Sequence, residues 1–501
     1  MLCDQRELTY GELRAETVQV AQVLQALGIQ SGERVAIVLN DSPEFIAAFV
    51  AIISLGASAV PINMALNPAD QRAILADCTA ATAIIEAAHC NTLLTGDANP
   101  LPSLKNLVLV RRGAEDSPVD LTDVRVVALA NAPRQALEAN FPASRDADAP
   151  AFILYTSGST GKPKGAVHTQ SDVFYTHESF CREILQLTAE DRLFSSSRLP
   201  FAYGLGNSFS FPLINGCTSI LCYEKPNPAV IARVFSSFRP TIFFGVPVVF
   251  NLLLEHHRQQ PLDCSSLRLC VSAGEALPAA LGESWQETFG VEVLDGIGST
   301  EMLHMWMSNH SGAVRYGSSG TLLEGYEARL LDQEGQASAE GEVGNLWVKG
   351  ASAARGYWNR PDVTASTFVD GWVRTGDLYR CDEDGYWFHM GRSDDCFKSS
   401  GQWVSPVEVE GVLMRHSGVR VAAVVEDFDQ NGLPGPCAFI VPNDESLAAT
   451  IKKELKSLVA DALPRFKRPR KYLFVSELPY TATGKIQRFK LREQLRSGEP
   501  V

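Results

Sequence analysis

Short uncharged apolar runs alternate with helical patterns through the first half of the chain, and this alternation restricts the possible folds most. Residues 35–39 (VAIVL) are typical of a buried strand, a helix follows from Ser42, and residues 57–62 (ASAVPI) form the next strand. A strand–helix–strand unit of this length indicates two parallel strands, because parallel neighbours are joined by a long crossover connection that is usually a helix. Similar runs return at residues 82–85, 107–110, 241–244 and 269–271. The pattern predicts an α/β fold with mainly parallel sheets.

Length, charge and cysteine content narrow the class of protein. A chain of 501 residues is too long for one ordinary core, so we expect several substructures. The net charge of -14, from 44 basic and 58 acidic residues, argues against a general nucleic-acid binder. The 11 cysteines form no C-x-x-C pair. Unpatterned cysteines in a large chain indicate a reduced, cytoplasmic protein.

One uncharged stretch, residues 45–66, has nearly the length of a membrane span. Gly56 and Pro61 divide it, and polar residues interrupt it. We therefore interpret it as a buried helix followed by a buried strand. The first residues (MLCDQRE) turn polar at once, so we expect no cleavable signal.

The pattern changes between about residues 320 and 390, where short runs alternate with Gly and Asp. This is typical of a small antiparallel sheet or a distorted barrel. We interpret the polar residues 392–401 as a linker, and the rest as a compact α+β segment. The sequence thus predicts an N-terminal domain at residues 1–393, with the β-rich part inside it, and a C-terminal domain at residues 394–501.

A loop rich in small residues, 155–165 (YTSGSTGKPKG), directly follows a buried strand. Its glycines allow backbone N–H groups to approach an anion, and its hydroxyl and ammonium groups suit a nucleotide triphosphate. The spacing differs from that of a Walker A loop, and the companions of the S-x-x-K hydrolase motif are missing. The candidate phosphate contacts are Thr156, Ser157, Gly158, Ser159, Thr160, Gly161, Lys162 and Lys164.

Further motifs follow in order along the chain. They are GSTE at residues 298–301, TGD at 375–377, GRSDD at 391–395 continuing to 398–401 and 405–408, and PYTATGK at 479–485. With the loop, they resemble the signatures of the adenylate-forming superfamily, which includes acyl- and aryl-CoA ligases, carrier-loading adenylation domains and luciferases. The resemblance extends from about residue 8 to residue 491.

The resemblance implies that a substrate carboxylate attacks the α-phosphate of ATP and that pyrophosphate leaves. By resemblance, Thr300 donates to the α-phosphate, Glu301 holds Mg²⁺ and Asp377 accepts both ribose hydroxyls. Arg392 contacts the ribose or a phosphate. Lys485 is the predicted catalytic cation, bridging the carboxylate oxygen and the α-phosphate. The segments expected to flank the adenine are Gly274, Glu275, Ala276 and Asp295, Gly296, Ile297.

A second half-reaction passes the acyl group to a thiol. In the superfamily the C-terminal domain rotates about a hinge, which maps to Asp394. The rotation removes Lys485 and brings in the face that carries Ser400, Gly401 and Trp403, forming a channel for the pantetheine of coenzyme A. The basic residues 465–471 either hold the 3′-phosphate of coenzyme A or form a solvated face. Cys396 and Ser399 depart from the usual pattern of this region.

Residues 199–207 (LPFAYGLGN) resemble the benzoate-type aryl-CoA ligases. Ala202 stands where domains that activate amino acids usually carry Asp. The predicted acid pocket consists of Phe201, Ala202, Tyr203, Phe244, Ile297 and His304, although most of these residue types equally suit plain core packing. We expect a small aromatic acid such as benzoate, 2-aminobenzoate (anthranilate) or a hydroxybenzoate.

Three alternatives stay open at this stage. The chain could load a separate carrier protein, could be a fatty acyl-CoA ligase, or could be a non-catalytic relative. The intact Thr300, Glu301, Asp377 and Lys485 argue against the last. A homodimer is compatible with the sequence, which does not specify the assembly.

Overall fold

The computed structural model describes all residues except 5, 95–100, 102, 112–123, 132–145, 158–162, 333, 431, 481–485 and 498–501. The described chain contains two large sheets with mainly parallel strands, a smaller antiparallel sheet, and a three-stranded sheet near the C-terminus. The predicted α/β class is confirmed.

The first large sheet has seven strands and carries the phosphate-loop motif at one edge. In spatial order the strands are Arg125–Ala128, Asn106–Val110, Thr82–Glu86, Arg34–Val38, Ser58–Pro61, Pro150–Ser157 and Pro163–Thr169. All neighbours are parallel except the last two, which flank the phosphate loop as an antiparallel pair. The helices of this region are Tyr10–Ala26, Pro43–Leu55, Pro68–Asp77 and Ala87–Leu94.

The apolar stretch at residues 45–66 belongs to this layer. Ser42 accepts a hydrogen bond from the backbone N–H of Phe45 and caps helix Pro43–Leu55. Gly56, with a φ of 87°, ends the helix, and strand Ser58–Pro61 follows. Within the described residues, no helix is long and apolar enough to cross a membrane.

The second large sheet has nine strands and carries the GSTE motif at the end of one of them. In spatial order they are Thr321–Leu322, Met305–Ser308, Val293–Gly298, Leu269–Ser272, Ile242–Gly245, Arg192–Ser195, Thr218–Leu221, Leu2–Cys3 and Arg6–Glu7. Its central strands are parallel. The helices around it are Gln170–Thr176, His177–Leu185, Ala202–Leu205, Gly206–Ser210, Phe211–Asn215, Pro228–Phe238, Pro247–Gln259 and Ala279–Phe289, and Thr300–Met302 is a short 3₁₀ turn.

The change in sequence pattern after residue 320 corresponds to an antiparallel sheet, as predicted. Its strands are Glu327–Leu331, Gly344–Lys349, Phe368–Val369, Trp372–Cys381 and Trp387–Arg392, with helix Pro361–Thr367 between the second and third.

The C-terminal part contains its own sheet of Val419–Phe428, Pro434–Pro442 and Lys471–Phe474. Helices Pro406–Leu413, Ala448–Ala462 and Arg488–Ser497 pack around it. In the described chain, its two hydrophobic clusters draw only on residues from Phe397 onward. The domain boundary at residue 393 or 394 stays a prediction.

The interpretation of residues 392–401 as one linker is wrong in its second half. Strands Phe397–Ser399 and Gln402–Val404 form a hairpin, with Ser400 and Gly401 at the turn. Phe397 and Val404 are both buried in the C-terminal core. The hairpin is therefore part of that core, because Phe397, Ser399 and Val404 are buried in it while Lys398, Gln402 and Trp403 are exposed.

Candidate active site

The GSTE motif lies at the tight turn that joins strands Val293–Gly298 and Met305–Ser308. We refer to this turn, residues 298–305, as the Glu301 return. The two strands approach so closely that a Cβ on Gly298 would lie 2.6 Å from the carbonyl oxygen of His304. Leu303, at the end of the return, is buried with a φ of 65°, a conformation that favours glycine. Strained backbone of this kind persists only where its surroundings hold it in place.

A buried histidine holds the return from the phosphate-loop side. The Nε2 of His168 lies 2.7 Å from the carbonyl oxygen of Thr300, and its Nδ1 lies 2.8 Å from the Asp172 carboxylate. A carbonyl oxygen and a carboxylate both accept, so both ring nitrogens of His168 donate. The backbone N–H and the hydroxyl of Thr169 also donate to Asp172. The carbonyl of Thr300 is thus held by a buried imidazole whose two ring nitrogens are both paired.

The Glu301 side chain is held from the opposite direction. The hydroxyl of Tyr357 donates to Oε1 of Glu301 at 2.6 Å, and the ammonium of Lys164 lies 4.8 Å from the centre of the Tyr357 ring. Sequence reasoning missed Tyr357, because a contact across 56 residues leaves no spacing signal. Glu301, the predicted metal ligand, and Lys164, a predicted phosphate contact, therefore both contact Tyr357.

Asp377 and Arg392, the predicted ribose and phosphate contacts, are paired on neighbouring strands. Their guanidinium and carboxylate groups are 3.1 Å apart, and the ring of His389 lies 3.6 Å from the same carboxylate oxygen. Burial lowers the pKa of Arg392, but the carboxylates of Asp377 and, further away, Glu301 raise it overall. The pair therefore lies within electrostatic reach of the Glu301 return.

The two segments expected to flank the adenine lie side by side. Gly274, Glu275 and Ala276 follow strand Leu269–Ser272, and Asp295, Gly296 and Ile297 lie in the adjacent strand, with Ser272 opposite Asp295. Burial raises the pKa of Asp295 well above its usual range, although the backbone N–H of Leu277 donates to it. The Asp295 side chain is buried in the fold, and the contact of this segment with an adenine stays a prediction.

Part of the predicted acid pocket assembles around His304. The rings of Tyr203 and Phe244 are 6.1 Å apart, and those of Tyr203 and His304 are 5.7 Å apart. Ile297 packs on the same hydrophobic cluster. Ala202 instead packs in another cluster with Leu199 and Leu205. Phe201 directly precedes helix Ala202–Leu205 and is partly buried.

The protonation of His304 follows from its contacts. Its Nε2 lies 3.2 Å from the Oδ1 of Asn207, an acceptor, so Nε2 carries the proton. Within the described chain its Nδ1 has no hydrogen-bond partner. Burial lowers the pKa of His304 to about 3. The ring is therefore neutral and offers one unused acceptor in an otherwise apolar setting.

Several predicted residues lie outside the described part of the chain. They are Gly158, Ser159, Thr160, Gly161, Lys162 and the predicted catalytic Lys485, together with the side chain of Ser157. The flanks of both segments are described. Thr156 pairs with Lys164 across the phosphate-loop strands. Burial and then the charge of Glu275 raise the pKa of Tyr480, so Tyr480, the last described residue before 481–485, lies near the predicted adenine segment.

The predicted hinge lies between two anchors. On one side the backbone N–H of Ser393 donates to the carbonyl of Gly376 at 2.9 Å. On the other, Asp395 forms ion pairs of 2.9 Å with Arg492 and 3.8 Å with Arg488 of the last helix. Asp394 is the residue between these anchors.

The predicted thiol-channel face lies on the hairpin of residues 397–404. The Trp403 side chain is 45% exposed, and the Lys398 ammonium lies 5.3 Å from its ring. In the basic stretch 465–471, Lys467 pairs with Glu408, Arg470 with Asp429 and Lys471 with Asp427. These three cations already have partners in the C-terminal part, which weakens the interpretation of the stretch as a phosphate site.

The return at Glu301, the phosphate-loop strands and the Asp377–Arg392 pair together define a class of α/β protein built to hold a nucleotide. Residues 1–358 match the family described as AMP-binding enzyme, and residues 408–485 match the AMP-binding enzyme C-terminal domain. The chain belongs to this AMP-binding family.

Relatives of known activity match over nearly the whole chain. The benzoate–CoA ligase of Thauera aromatica is 41% identical, covering 98% of this chain and 91% of that one. A solved anthranilate CoA ligase, AuaEII in complex with anthranoyl-AMP, is 36% identical with a TM-score of 0.91, covering 99% and 94%. A solved benzoate CoA ligase from Burkholderia xenovorans LB400 is 38% identical with a TM-score of 0.87, covering 98% and 96%.

Proposed function

We propose that the chain is an AMP-forming aryl-CoA ligase. It activates a small aromatic carboxylic acid with ATP, releases pyrophosphate, and transfers the aryl group from the adenylate to the thiol of coenzyme A. The observation that carries the proposal is the meeting of Lys164, Tyr357 and Glu301 beside the Asp377–Arg392 pair. The benzoate- and anthranilate-CoA ligases that match over the whole chain support the same reaction.

In the proposed first step, Thr300 donates to the α-phosphate and Lys485 bridges it to the attacking carboxylate. Glu301 holds Mg²⁺. Among the described residues, no group of three or more His, Cys, Asp or Glu side chains could hold a metal ion. One carboxylate suits Mg²⁺ in a nucleotide site, because substrate phosphates and water complete its coordination. The ion would neutralise charge on the departing pyrophosphate.

The acid pocket favours a compact ring. Phe244 is fully buried, its ring lies 6.1 Å from that of Tyr203, and the Tyr203 ring lies 5.7 Å from that of His304, so an aromatic cluster surrounds the proposed site. The neutral Nδ1 of His304 accepts a hydrogen bond from an amino or hydroxyl substituent, if the bound ring carries one within reach. We therefore propose benzoate, 2-aminobenzoate or a hydroxybenzoate as the acid.

For the second step, we propose coenzyme A as the acceptor and Asp394 as the pivot of the C-terminal domain. We place the enzyme in the cytoplasm, supported by 11 cysteines that are all free thiols. A homodimer is compatible with these assignments, and light scattering would determine the assembly.

The proposal is tested by acid-dependent exchange of labelled pyrophosphate into ATP. The panel contains benzoate, 2-aminobenzoate, the three hydroxybenzoates, octanoate and a reaction without acid. We expect exchange with at least one aromatic acid and none without acid. No exchange with any aryl or fatty acid would disprove the enzyme assignment, and preference for octanoate would identify a fatty acyl ligase.

The acceptor is tested with the acid that supports the fastest exchange. Free coenzyme A and a phosphopantetheine-loaded carrier protein are supplied separately, and the thioester is followed by mass spectrometry. We expect aryl-CoA and AMP in equal amounts. Acylation of the carrier alone would show that the chain is a carrier-loading ligase.

A further inference from the structure

One segment, residues 354–360, connects the phosphate-loop strands to the Glu301 return. Its backbone is bonded to the strand that leaves the loop: Arg355 N–H donates to Val167, Val167 N–H to Gly356, and Trp358 N–H to Gly165, at 2.9, 3.0 and 2.7 Å. The backbone N–H of Ala354 donates to the carbonyl of Glu301 at 2.8 Å. We refer to residues 354–360 as the strap.

The far end of the strap is anchored on Asp77. Arg360 forms an ion pair of 2.8 Å with the Asp77 carboxylate, and the indole N–H of Trp358 donates to the Asp77 carbonyl at 3.1 Å. The hydroxyl of Tyr155, on the strand that enters the loop, donates to the same carboxylate at 2.6 Å. The strap is therefore attached to both strands that flank the phosphate loop.

Tyr357 lies at the centre of the strap and is 7% exposed. Its ring packs on Phe368 and lies 4.8 Å from the Lys164 ammonium, while its hydroxyl donates to Glu301 Oε1 at 2.6 Å. A carboxylate oxygen can only accept, so the phenol hydroxyl is the donor in this hydrogen bond. Packing of the Tyr357 ring on Phe368 does not require a hydroxyl group. The hydrogen bond from that hydroxyl to the Glu301 carboxylate therefore indicates a second role for Tyr357.

We propose that Tyr357 is a positioning residue for the metal-binding carboxylate. Its hydroxyl holds one oxygen of Glu301, and the other oxygen would remain available to hold Mg²⁺. Its ring at the same time keeps the Lys164 ammonium near the ATP phosphates. The strap links the two strands that flank the phosphate loop to Glu301. This inference rests on the proposed function and adds to it a residue with no assigned role.

The test is Tyr357→Phe, which keeps the ring and removes the hydroxyl. Mn²⁺ serves as a paramagnetic probe, and its binding to the enzyme with ATP is followed by electron paramagnetic resonance. We expect about tenfold weaker Mn²⁺ binding, the size typical of losing a hydrogen bond to a charged group. The Mg²⁺ concentration for half-maximal exchange should rise similarly, whereas kcat at saturating Mg²⁺ should fall less than about threefold.

The second half-reaction separates positioning from general damage. Thioester formation from supplied aryl-adenylate and coenzyme A, measured without ATP and Mg²⁺, should be unchanged in Tyr357→Phe. Unchanged Mn²⁺ affinity, or equal loss in both half-reactions, would overturn the proposal. Wild-type exchange tests the proposed function itself, so the two failures are distinguishable.

Two further variants complete the design. Tyr10→Phe removes another partly buried hydroxyl, which donates to the carbonyl of Pro212 at 2.8 Å, and should leave Mn²⁺ affinity unchanged. Glu301→Gln alone should weaken Mn²⁺ binding, and adding Tyr357→Phe to it should cost little more, because the two residues act together. Full additivity of the two losses would show that Tyr357 does not act through Glu301.

Discussion

At the residue scale, burial decides what His304 can do. Its Nε2 proton is committed to Asn207, and the pKa of the ring is lowered to about 3. The imidazole therefore stays neutral throughout the physiological range and cannot pair with a second carboxylate as a cation. This agrees with an acid that carries one carboxyl group and, where substituted, a hydrogen-bond donor.

The pKa of His304 also predicts a pH dependence of stability. In the unfolded chain a histidine takes up a proton below about pH 6.5, whereas the folded protein keeps His304 neutral down to about pH 3. The resulting destabilisation is absent above pH 6.5 and grows as the pH falls, reaching about 2 kcal/mol at pH 5. Between pH 7.5 and pH 5.0, the thermal midpoint of the wild type should therefore fall further than that of His304→Leu. Equal pH dependence in both proteins would contradict the assignment.

At the element scale, the return between strands Val293–Gly298 and Met305–Ser308 depends on glycine. The Cβ of an alanine at residue 298 would lie 2.6, 2.7 and 2.9 Å from the backbone atoms O and C of His304 and N of Met305. Backbone atoms cannot rotate away, so the return itself must shift. The return carries Thr300 and Glu301, and this shift would therefore move both.

Gly298→Ala should accordingly lose pyrophosphate exchange by about 100-fold, because small misplacements at a reacting centre are costly. The free energy of unfolding should fall by about 1–3 kcal/mol. The matched control is Gly411→Ala in helix Pro406–Leu413, where a Cβ meets nothing within 4 Å. We expect the control to keep wild-type exchange. Wild-type exchange in Gly298→Ala, measured well below its thermal midpoint, would contradict the role of the return.

At the scale of the whole molecule, the anchors around Asp394 restrict where a domain rotation can occur. Ser393 is bonded to Gly376 of the antiparallel sheet, and Asp395 to Arg492 of the last helix. A rotation that keeps both contacts must use the backbone torsion angles from Ser393 to Asp395, and it would break the bonds from the N–H groups of Asp395 and Cys396 to the carbonyl of Arg392. The hinge at Asp394 stays a prediction, and it implies that variants can impair one half-reaction without the other.

The corresponding prediction concerns Lys485→Ala. Adenylate formation should fall by at least about 100-fold, the loss typical of removing one preorganised charge. Thioester formation from supplied aryl-adenylate and coenzyme A should stay within about threefold of wild type, because the proposed rotation would remove Lys485 from that step. Lys490→Ala, an exposed lysine on helix Arg488–Ser497, serves as control. Equal loss in both half-reactions would contradict the domain rotation.

Much of the fold was predictable because it is encoded locally. The buried strands at residues 34–38, 58–61 and 82–86 and the helix capped by Ser42 follow from short-range patterns. The hairpin at 397–404 was missed, because its many polar residues give the segment the composition of a linker, although Phe397 and Val404 are buried in the core.

By itself, the sequence determined the α/β class and the ordered motifs of the AMP-binding family, since runs of neighbouring residues carry both. Only the tertiary structure decided which side chains support those motifs. Tyr357 reaches Glu301 across 56 residues, His168 reaches Thr300 across 132, and Arg360 reaches Asp77 across 283. Contacts of this range depend on how sheets and loops pack, and no periodicity or spacing along the chain records them.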